Sequence, residues 1–267
     1  MNVLERAIKN FWDKQAQENG PGQKATNEDT WYRSLEIREI IKELRKERRY
    51  FLDVLDVGCG NGFSTNEFAT AFPLVHFDGV DFSEEMIKQA RQRTAFNTQY
   101  YTADVTDMRG FSLRQYPSQY DIIISERCLI NLVGDGKQEQ AVLQLKSLVT
   151  SNGRIIIVEN TLDGLIRLNK IRAKLGLPWI RTRWHNRYLD HSTFLPFLKE
   201  HFNNVECRNI GTPYYLLSRV IYAKYAAMRG IEPNYNNWMN RFACKLPSIS
   251  GWWASPNMMY VCSGKKS

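Results

Sequence analysis

A run of glycines after a buried strand constrains this chain more than any other feature. A strand is predicted over residues 50–57, the run DVGCGNG occupies residues 56–62, and a helix is predicted over residues 62–71. Glycine lets the chain turn sharply and lets backbone N–H groups approach a ligand without a Cβ in the way. A strand, a glycine loop and a helix in this order indicate a loop that binds a nucleotide-like cofactor.

The spacing of these glycines excludes two common phosphate-binding loops. A pyrophosphate loop would read Gly-x-Gly-x-x-Gly, but Phe63 stands where the third glycine would be, and Gly62 comes one residue too early. No Gly-Lys-Ser/Thr follows the run, so it is not a P-loop. The cofactor is therefore of another kind.

Strand and helix patterns alternate after the glycine run. Strands are predicted at 75–80, 98–103, 120–125 and 154–159, with helices at 83–94 and 137–149. Unbroken Val/Ile runs indicate strands covered on both faces, and the alternation indicates a parallel sheet with ligands at its carboxyl edge. Helices at 161–175 and 192–201 and strands at 205–211 and 258–262 follow, with an inserted segment at 213–255. Helices at 3–18 and 28–48, the latter capped by Asn27 or Asp29, precede the sheet.

Residues 51–160 resemble the class I S-adenosyl-L-methionine (SAM)-dependent methyltransferases. VLDVGCGNG at 54–62 matches the first motif of that family, and Asp81 stands 19 residues beyond Gly62, at the end of the second strand. Asp104 in TADVTDM and the segment 125–127 after the fourth strand match two further positions. The resemblance implies a Rossmann-like α/β fold, with a seven-stranded, mostly parallel sheet, helices on both faces and an antiparallel last strand. We also expect an N-terminal helical lid and C-terminal insertions.

The same resemblance assigns roles to these residues. SAM is the expected cofactor, S-adenosyl-L-homocysteine (SAH) the expected product, and no metal is expected. Asp81 would accept both ribose hydroxyls and Asp104 the adenine amino group. Asp56 would bind the SAM amino group and Arg33 its carboxylate, although Arg33 is explained as well by an arginine at the surface. Phe82 and Met86 would flank the adenine, although core packing explains these two residues equally well. The predicted cofactor-binding residues are Arg33, Asp56, Gly58, Cys59, Gly60, Gly62, Asp81, Phe82, Met86, Asp104, Val105, Ser125 and Arg127.

Three residues are candidates for the base that an aliphatic hydroxyl acceptor needs. His185 is the first choice, because the ordinary pKa of histidine is near the working pH and its segment is aromatic and basic. Glu126 and Glu159 follow the fourth and fifth strands. The alternative for His185 is a loop-stabilising hydrogen bond, and for the glutamates it is loop orientation or SAM binding. The predicted acceptor-binding residues are Arg183, Trp184, Asn186, Arg187 and Tyr188.

The net charge of +8 is concentrated in the C-terminal part. Residues 161–267 carry 16 basic and five acidic side chains, whereas residues 51–160 carry nine and 14. A local basic excess attracts phosphates, carboxylates, nucleic acid or an anionic membrane surface, although a solvated basic face without a partner also stays open. Residues 168–190 and 214–248 also look similar to methyltransferases encoded with bacterial surface-polysaccharide genes.

The first hypothesis is therefore a SAM-dependent O-methyltransferase acting on a hydroxyl of an anionic small molecule or saccharide, of surface-polysaccharide or nucleotide-sugar type. A nucleic-acid methyltransferase is the alternative, disfavoured because no RNA-binding module and no Asn-Pro-Pro-Tyr motif is visible. An N-methyltransferase of a small metabolite and a SAM-sensing protein without catalysis also stay open.

The organisation is predicted to be one methyltransferase domain. Residues 1–50 would form the lid, 51–160 the SAM-binding core, 161–255 the acceptor-binding insertions and 256–267 the last strand. Five scattered cysteines without a CxxC pair indicate neither a disulfide framework nor a zinc site, so a cytoplasmic location is expected. No apolar run approaches the ~20 residues of a transmembrane helix. Peripheral membrane contact and the oligomeric state stay open.

Overall fold

The structure, a computed structural model, describes residues 2–93, 95–112, 119–249 and 254–266. Its strands are β1 (Asp53–Val57), β2 (His76–Asp81), β3 (Thr98–Thr102), β4 (Tyr120–Glu126), β5 (Val149–Asn160), β6 (Phe202–Asn209) and β7 (Asn257–Lys265). Its helices are α1 (Val3–Asn19), α2 (Thr30–Leu44), α3 (Phe63–Ala71), α4 (Glu84–Arg91), α5 (Arg109–Ser112), α6 (Lys137–Leu148), α7 (Leu162–Lys174), α8 (His191–His201), α9 (Thr212–Tyr215), α10 (Tyr222–Arg229) and α11 (Trp238–Ala243). Short 3-10 turns at Gln23–Ala25 and Leu129–Asn131 and a π-helical segment at Leu216–Ile221 complete the description.

The seven strands form one sheet in the order β3-β2-β1-β4-β5-β7-β6. The strands β1 to β5 are parallel, and β7 runs antiparallel to both β5 and β6. This confirms the predicted Rossmann-like, mostly parallel sheet with an antiparallel last strand. The strand order reverses between β1 and β4, and loops leaving the carboxyl ends of two such strands diverge and open a crevice.

Helices cover both faces of the sheet, which explains the unbroken apolar strands. Successive residues of a strand point to opposite faces, and Val54 and Leu55 of β1 accordingly enter two separate buried clusters. The cluster around Val54 includes Ile40 of α2 and Phe68 of α3. The cluster around Leu55 includes Leu145 of α6. The central strands are thus fixed by packing on both sides, and their carboxyl ends hold the loops above them in place.

The N-terminal segment is tied to the glycine loop. The side chain of Asn61 donates hydrogen bonds to the carbonyl oxygens of Gly20 (3.1 Å) and Gly22 (2.7 Å) at the end of α1. The helix α2 then begins at Asp29, whose carboxylate accepts from the backbone N–H of Tyr32 (3.1 Å). Asp29 is therefore the cap, which resolves the choice between Asn27 and Asp29, and residues 2–29 lie over the carboxyl edge of the sheet.

Several predicted boundaries were wrong. The strand β1 begins at Asp53 rather than residue 50, because Tyr50 and Phe51 are exposed beyond the sheet edge. The strand β5 begins at Val149, five residues early, because Val149 pairs with Tyr120 ahead of an irregularity. The helix α2 ends at Leu44 rather than residue 48, β6 spans Phe202–Asn209 rather than 205–211, and α5 was not predicted.

The insertion at 213–255 does contain helices, as predicted. Residue 94, the predicted end of α4, and residues 250–253 of that insertion lie outside the described residues, as do Met1 and Ser267.

Candidate active site

A cavity of about 360 Å³ opens at the carboxyl edge of the sheet. Its wall is formed by the loops after β1, β2, β3 and β4, by the N-terminal segment above them, and by the basic segment after α7. Most of the predicted site residues line it: Arg33, Asp56, Gly58, Cys59, Gly60, Asp81, Phe82, Met86, Asp104, Val105, Glu126, Arg127, Arg183, His185, Asn186 and Tyr188. One cavity thus brings together groups from four loops and the two flanking segments.

The glycine loop has the conformation that its sequence suggests. Gly58 and Gly60 have φ values of +70° and +55°, in the region that side chains rarely adopt. A Cβ on Gly58 would stand 2.5 Å from the Cβ of Cys128, and one on Gly60 would stand 2.8 Å from the lid residue Thr26. Both positions therefore need glycine for the turn and for the close approach of neighbouring segments.

Two carboxylates stand at the ends of β2 and β3. Asp81 accepts from the backbone N–H groups of Gly60 and Ser83 (2.9 Å each), and burial raises its pKa to about 6. Each carboxylate oxygen has two acceptor sites, so both oxygens can accept a further bond from a ligand. Asp104 instead uses one oxygen for both the N–H (2.8 Å) and the hydroxyl (2.7 Å) of Thr106. Its other oxygen remains available at the cavity wall.

A buried aspartate at the end of β1 lies near a buried arginine of α2. Asp56 accepts from the hydroxyl of Thr65 (2.6 Å), and burial raises its pKa to about 7. Arg33 on α2 donates to the hydroxyl of Ser64 (3.0 Å), and burial lowers its pKa, although Glu126 and other nearby carboxylates oppose that shift. The Arg33 guanidinium is thus buried at the cavity wall beside the first turn of α3, where a ligand carboxylate would find both a cation and the helix N-terminus.

Arg127, at the end of β4, has an unusual backbone conformation. It is the one non-glycine residue in the described parts of the chain with a positive φ (+57°), a conformation that costs energy and tends to occur at functional sites. Its guanidinium reaches the carboxylate of Glu36 (3.5 Å), which also accepts from Asn257 (2.6 Å). Glu36 is fully buried on α2, and burial raises its pKa. Arg127 is therefore held towards the cavity by a contact that crosses from the sheet to α2.

His185 is buried among the aromatic rings of Phe11, Trp12 and Trp184. Its imidazole stacks on Phe11 (4.4 Å between centroids) and meets the edges of Trp12 and Trp184. Burial, with help from Arg183 and Arg127, lowers its pKa to about 4. The expectation of a pKa near the working pH was wrong, because the nearby cations and the apolar surroundings disfavour the imidazolium. His185 is neutral at pH 7, and its Nδ1 has no hydrogen-bond partner among the described residues.

The two candidate glutamates differ in placement. Glu126 lines the cavity, and its Oε1 is buried without a hydrogen-bond partner among the described residues. Glu159 is fully buried behind the wall, where its Oε1 accepts from the backbone N–H of Leu129 (2.6 Å). Burial raises the pKa of Glu159 to about 8. Glu159 therefore supports the turn after β4 and does not line the cavity, while its Oε2 has no hydrogen-bond partner among the described residues; its catalytic role stays a prediction.

Four further predicted residues do not line the cavity. Gly62 has a φ of +72°, and a Cβ there would meet Ala90 and Tyr100 at 2.9 Å, so the turn and the packing against α4 and β3 explain this glycine. Ser125 is buried within β4. Trp184 packs on the lid, and Arg187 pairs with Asp135 (2.6 Å) at the surface. Their contacts with cofactor or acceptor are not supported by this geometry.

Buried polar atoms without partners gather at the cavity wall. Atoms of this kind are rare in folded proteins and mark missing ligands or waters. Among the described residues, the cavity-lining side chains with such an atom include Thr26, Asn27, Arg33, Glu126, Asn131, His185, Asn186 and Arg219. They comprise cationic, amide, hydroxyl and carboxylate groups, which suits SAM, a ligand with a carboxylate, an ammonium, a sulfonium and a ribose diol.

Sequence reasoning missed several residues of the wall. Trp12, Asn27 and Tyr32 come from the lid, and Arg219 and Tyr235 from the region of the π-helical segment. The aromatic content of the insertion was the one available signal. No signal in the sequence marks Glu36, because a buried acidic residue on a helix rich in lysine and arginine looks the same in sequence as an acidic residue at the surface.

Comparisons with known proteins agree with this geometry. Residues 51–176 match a family model described as "Methyltransferase domain". Among curated proteins, a malonyl-[acyl-carrier protein] O-methyltransferase of Halalkalibacterium halodurans is 30% identical over 125 residues, which is 44% of each chain. One of Bacillus anthracis is 33% identical over 84 residues, 30% of this chain and 29% of the relative. The chain thus matches less than half the length of these relatives.

Among solved structures, magnesium protoporphyrin IX methyltransferase of Synechocystis PCC 6803, determined with bound SAH, superposes with a TM-score of 0.57. It is 15% identical and the match covers 95% of this chain and 93% of that one, so the likeness concerns the fold. The family match therefore shows a resemblance to methyltransferase domains over residues 51–176, and the solved structure shows the same fold over nearly the whole chain.

Proposed function

We propose that this protein is a SAM-dependent O-methyltransferase whose acceptor is an anionic small molecule or saccharide. The observation that carries the acceptor class is a set of arginines and tyrosines in the cavity wall, namely Arg127, Arg219, Tyr188 and Tyr215. One guanidinium nitrogen of Arg219 is buried there without a partner among the described residues. An arginine fork suits a carboxylate or phosphate, and tyrosine rings suit a sugar face.

On this proposal the chain's residues divide the work between cofactor and acceptor. The ribose hydroxyls would be held by Asp81, the adenine amino group by Asp104, and the amino-acid end by Asp56 and Arg33. Bound SAM supplies a methyl group already activated on a sulfonium. The protein's main task is then alignment, which can account for several kcal/mol of a reaction barrier, roughly 7–11 kcal/mol in well-oriented cases.

The proton of a hydroxyl acceptor needs a receiving group at the cavity. His185 is neutral at pH 7 and can accept it, but its lowered pKa makes it a weak base. Glu126, with its unpartnered Oε1 at the wall, is the second candidate. A weak base suffices when the acceptor hydroxyl is acidic.

A carboxylate acceptor would need no base at all, and this favours a second candidate function. The substrate named for the malonyl-[acyl-carrier protein] O-methyltransferases contains such a carboxylate in its malonyl group. The lowered pKa of His185 and the arginines beside it fit methylation of a carboxylate to its ester as well as they fit an anionic sugar.

The test is methyl transfer from labelled SAM to a panel of acceptors. The panel contains nucleotide sugars, acidic glycans, malonyl-carrier protein and bulk RNA. We expect label on an anionic sugar or, for the second candidate, on malonyl-carrier protein. Label on RNA alone would refute both. Arg219→Lys should raise the acceptor KM with the SAH affinity unchanged, and Arg187→Lys, whose guanidinium pairs with Asp135 outside the cavity, is the matched control.

The cytoplasm is our proposed location. All five cysteines are free in the structure, which suits a reducing compartment. Within the described parts of the chain, no helix has the length and apolar character that crossing a bilayer requires.

A further inference from the structure

Exposed apolar side chains recur at helical spacing along the π-helical segment and α10. Ile221, Tyr225 and Met228 stand four and three residues apart and are all exposed, Met228 by 76%. Residues at this spacing share one face of a helix. The interior face of the same helix is formed by Ala223 and Ala226, which are buried. The helix therefore presents an apolar stripe outward, where a solvated helix would present polar side chains.

A second stripe lies on the neighbouring helix α11. Trp238 and Phe242 are four residues apart and exposed, Trp238 by 75%. The π-helical segment Leu216–Ile221 continues directly into α10, and both α11 and α7 pack on that segment. Lys224 joins α10 to the end of α7 by donating to the carbonyl oxygen of Leu175 (2.9 Å), and Leu175 is itself exposed. The exposed apolar side chains of these neighbouring elements are here called the aromatic surface, which comprises Leu175, Ile221, Tyr225, Met228, Trp238 and Phe242.

This region is also the most basic part of the chain. Residues 166–183 carry six basic side chains and no acidic one, and residues 216–249 carry five basic and one acidic. Of these eleven basic side chains, Arg172 is buried and Arg219 pairs with Asp29, whereas the other nine are exposed or half-buried. Arg229 places its guanidinium over the ring of Tyr225 (5.5 Å), and in sequence the exposed Trp179 lies between the exposed residues Lys174 and Arg181. Large exposed apolar patches mark interaction sites. Tryptophan, tyrosine and aliphatic side chains beside lysine and arginine are the composition of helices that lie in the interface of an anionic membrane.

We propose that the aromatic surface binds an anionic lipid bilayer. The charge favours approach to acidic headgroups, and the exposed aliphatic side chains of Ile221 and Met228 account for insertion, whereas a nucleic acid would use only the basic and aromatic side chains. The surface adjoins the cavity, because Ile180 and Tyr235 of these segments line the cavity wall. An acceptor carried by a membrane lipid would then be presented at the mouth of the cavity. That consequence rests on the proposed function, whereas the membrane contact itself does not.

The test measures cosedimentation of the purified chain with vesicles. Vesicles of phosphatidylcholine and phosphatidylglycerol in equal parts should bind the protein, and vesicles of phosphatidylcholine alone should bind it about tenfold or more weakly. Binding should weaken as salt rises, because screening shortens the reach of the headgroup charge. The variant Met228→Ser/Trp238→Ser should lose roughly tenfold in affinity, since it removes apolar side chains that would insert.

A matched control comes from the opposite edge of the sheet. Phe51 and Phe96 are exposed by 81% and 88% at the amino ends of β1 and β3, so Phe51→Ser/Phe96→Ser removes similar apolar area from another surface. This variant should bind the mixed vesicles as the unchanged chain does. Both variants should keep the melting temperature and the SAH affinity, which separates membrane binding from folding and from the proposed function.

Three results would overturn the proposal. The first is that the unchanged chain does not bind the mixed vesicles, and the second is that the control variant loses as much vesicle affinity as Met228→Ser/Trp238→Ser. The third is that polyuridylate displaces the vesicles from the unchanged chain while Met228→Ser/Trp238→Ser still binds the vesicles fully. The last result would assign the surface to nucleic acid.

Discussion

Replacing Asp81 by asparagine should weaken cofactor binding strongly without unfolding the protein. In the structure each oxygen of Asp81 accepts one backbone N–H, from Gly60 and from Ser83, both at 2.9 Å. An amide keeps one of these acceptors and turns an NH₂ group towards the other N–H. The substitution therefore disturbs the glycine loop and removes the negative charge that would face a ribose diol.

The magnitudes can be worked out separately for stability and for binding. An unpaired buried N–H costs about 1–3 kcal/mol. Against this, burial raises the pKa of Asp81 to about 6 from an ordinary 3.8, so keeping it ionised at pH 7 costs the folded protein about 3 kcal/mol. The variant gains the cost of the unpaired N–H but no longer has the cost of a buried charge, so its free energy of unfolding at pH 7 should differ little from that of the unchanged protein. Loss of a charge-assisted hydrogen bond to the ribose, about 1.5–3 kcal/mol, corresponds to roughly 10–100-fold weaker binding.

The sign of the pH dependence follows from the same shift. Because the folded pKa of Asp81 is raised, the unchanged protein loses stability as pH rises from about 4 to about 6, and the asparagine variant lacks that loss. The variant should therefore melt below the unchanged protein at pH 4 and close to it at pH 7. Thermal melts at both values check this expectation.

Calorimetric titration with SAH is the binding assay, and Asp190→Asn is the matched control. One oxygen of Asp190, which lies outside the cavity wall, accepts both the N–H (2.9 Å) and the hydroxyl (2.6 Å) of Ser192, so an amide oxygen can replace it, and the affinity should stay within about threefold. Equal SAH affinity in the Asp81 variant and the unchanged protein would refute the reasoning, and so would equal losses in the two variants.

Three further predictions concern the loop, the histidine and the lid. Gly58→Ala should lower the melting temperature and the SAH affinity more than Gly136→Ala. Both glycines have φ +70°, so the backbone strain of roughly 1–2 kcal/mol is the same in the two variants. Only at Gly58 would the new Cβ meet another side chain, at 2.5 Å. The pH profile of kcat/KM should show no acid limb at about 6.5, since burial lowers the pKa of His185 to about 4; a limb near 6.5 that disappears in His185→Gln would contradict the geometry. Trp12→Ala should speed SAH release in stopped-flow measurements because the indole lines the cavity, whereas the exposed Lys14→Ala should not; equal rates in all three proteins would remove the lid role.

The core of the fold could be predicted because it repeats simple patterns. The isoleucine run 122–124 of β4 and the glycine run after β1 each determine one local structure, and the order of strands and helices leaves few topologies. Strand ends were less predictable. Tyr50 and Phe51 have the composition of a strand but lie exposed beyond β1, since nothing in a local pattern shows where a neighbouring strand stops.

The site was predictable where a loop follows a strand directly. Asp56, Asp81 and Asp104 come within a residue or two of the carboxyl ends of β1, β2 and β3, so the sheet brings them together. Glu159 occupies an equivalent position yet faces the backbone of Leu129. The sequence period shows that a residue ends a strand, but packing decides which side chain reaches the cavity.

Contacts between distant segments were beyond sequence reasoning. Glu36 and Arg127 are 91 residues apart and pair only because α2 packs over the end of β4. The pKa of His185 is lowered for a similar reason, since Phe11 and Trp12 of α1 cover a residue that is 174 and 173 positions away from them in sequence. These features depend on how the lid sits on the core.

The most direct test of the account is a crystal structure of the protein with SAH. We expect the ribose hydroxyls within hydrogen-bond distance of Asp81, the amino-acid carboxylate beside Arg33, and the sulfur facing the wall of Arg127 and Tyr188. SAH bound elsewhere, or bound with its sulfur turned away from that wall, would contradict the assignment of the cavity as the site of methyl transfer.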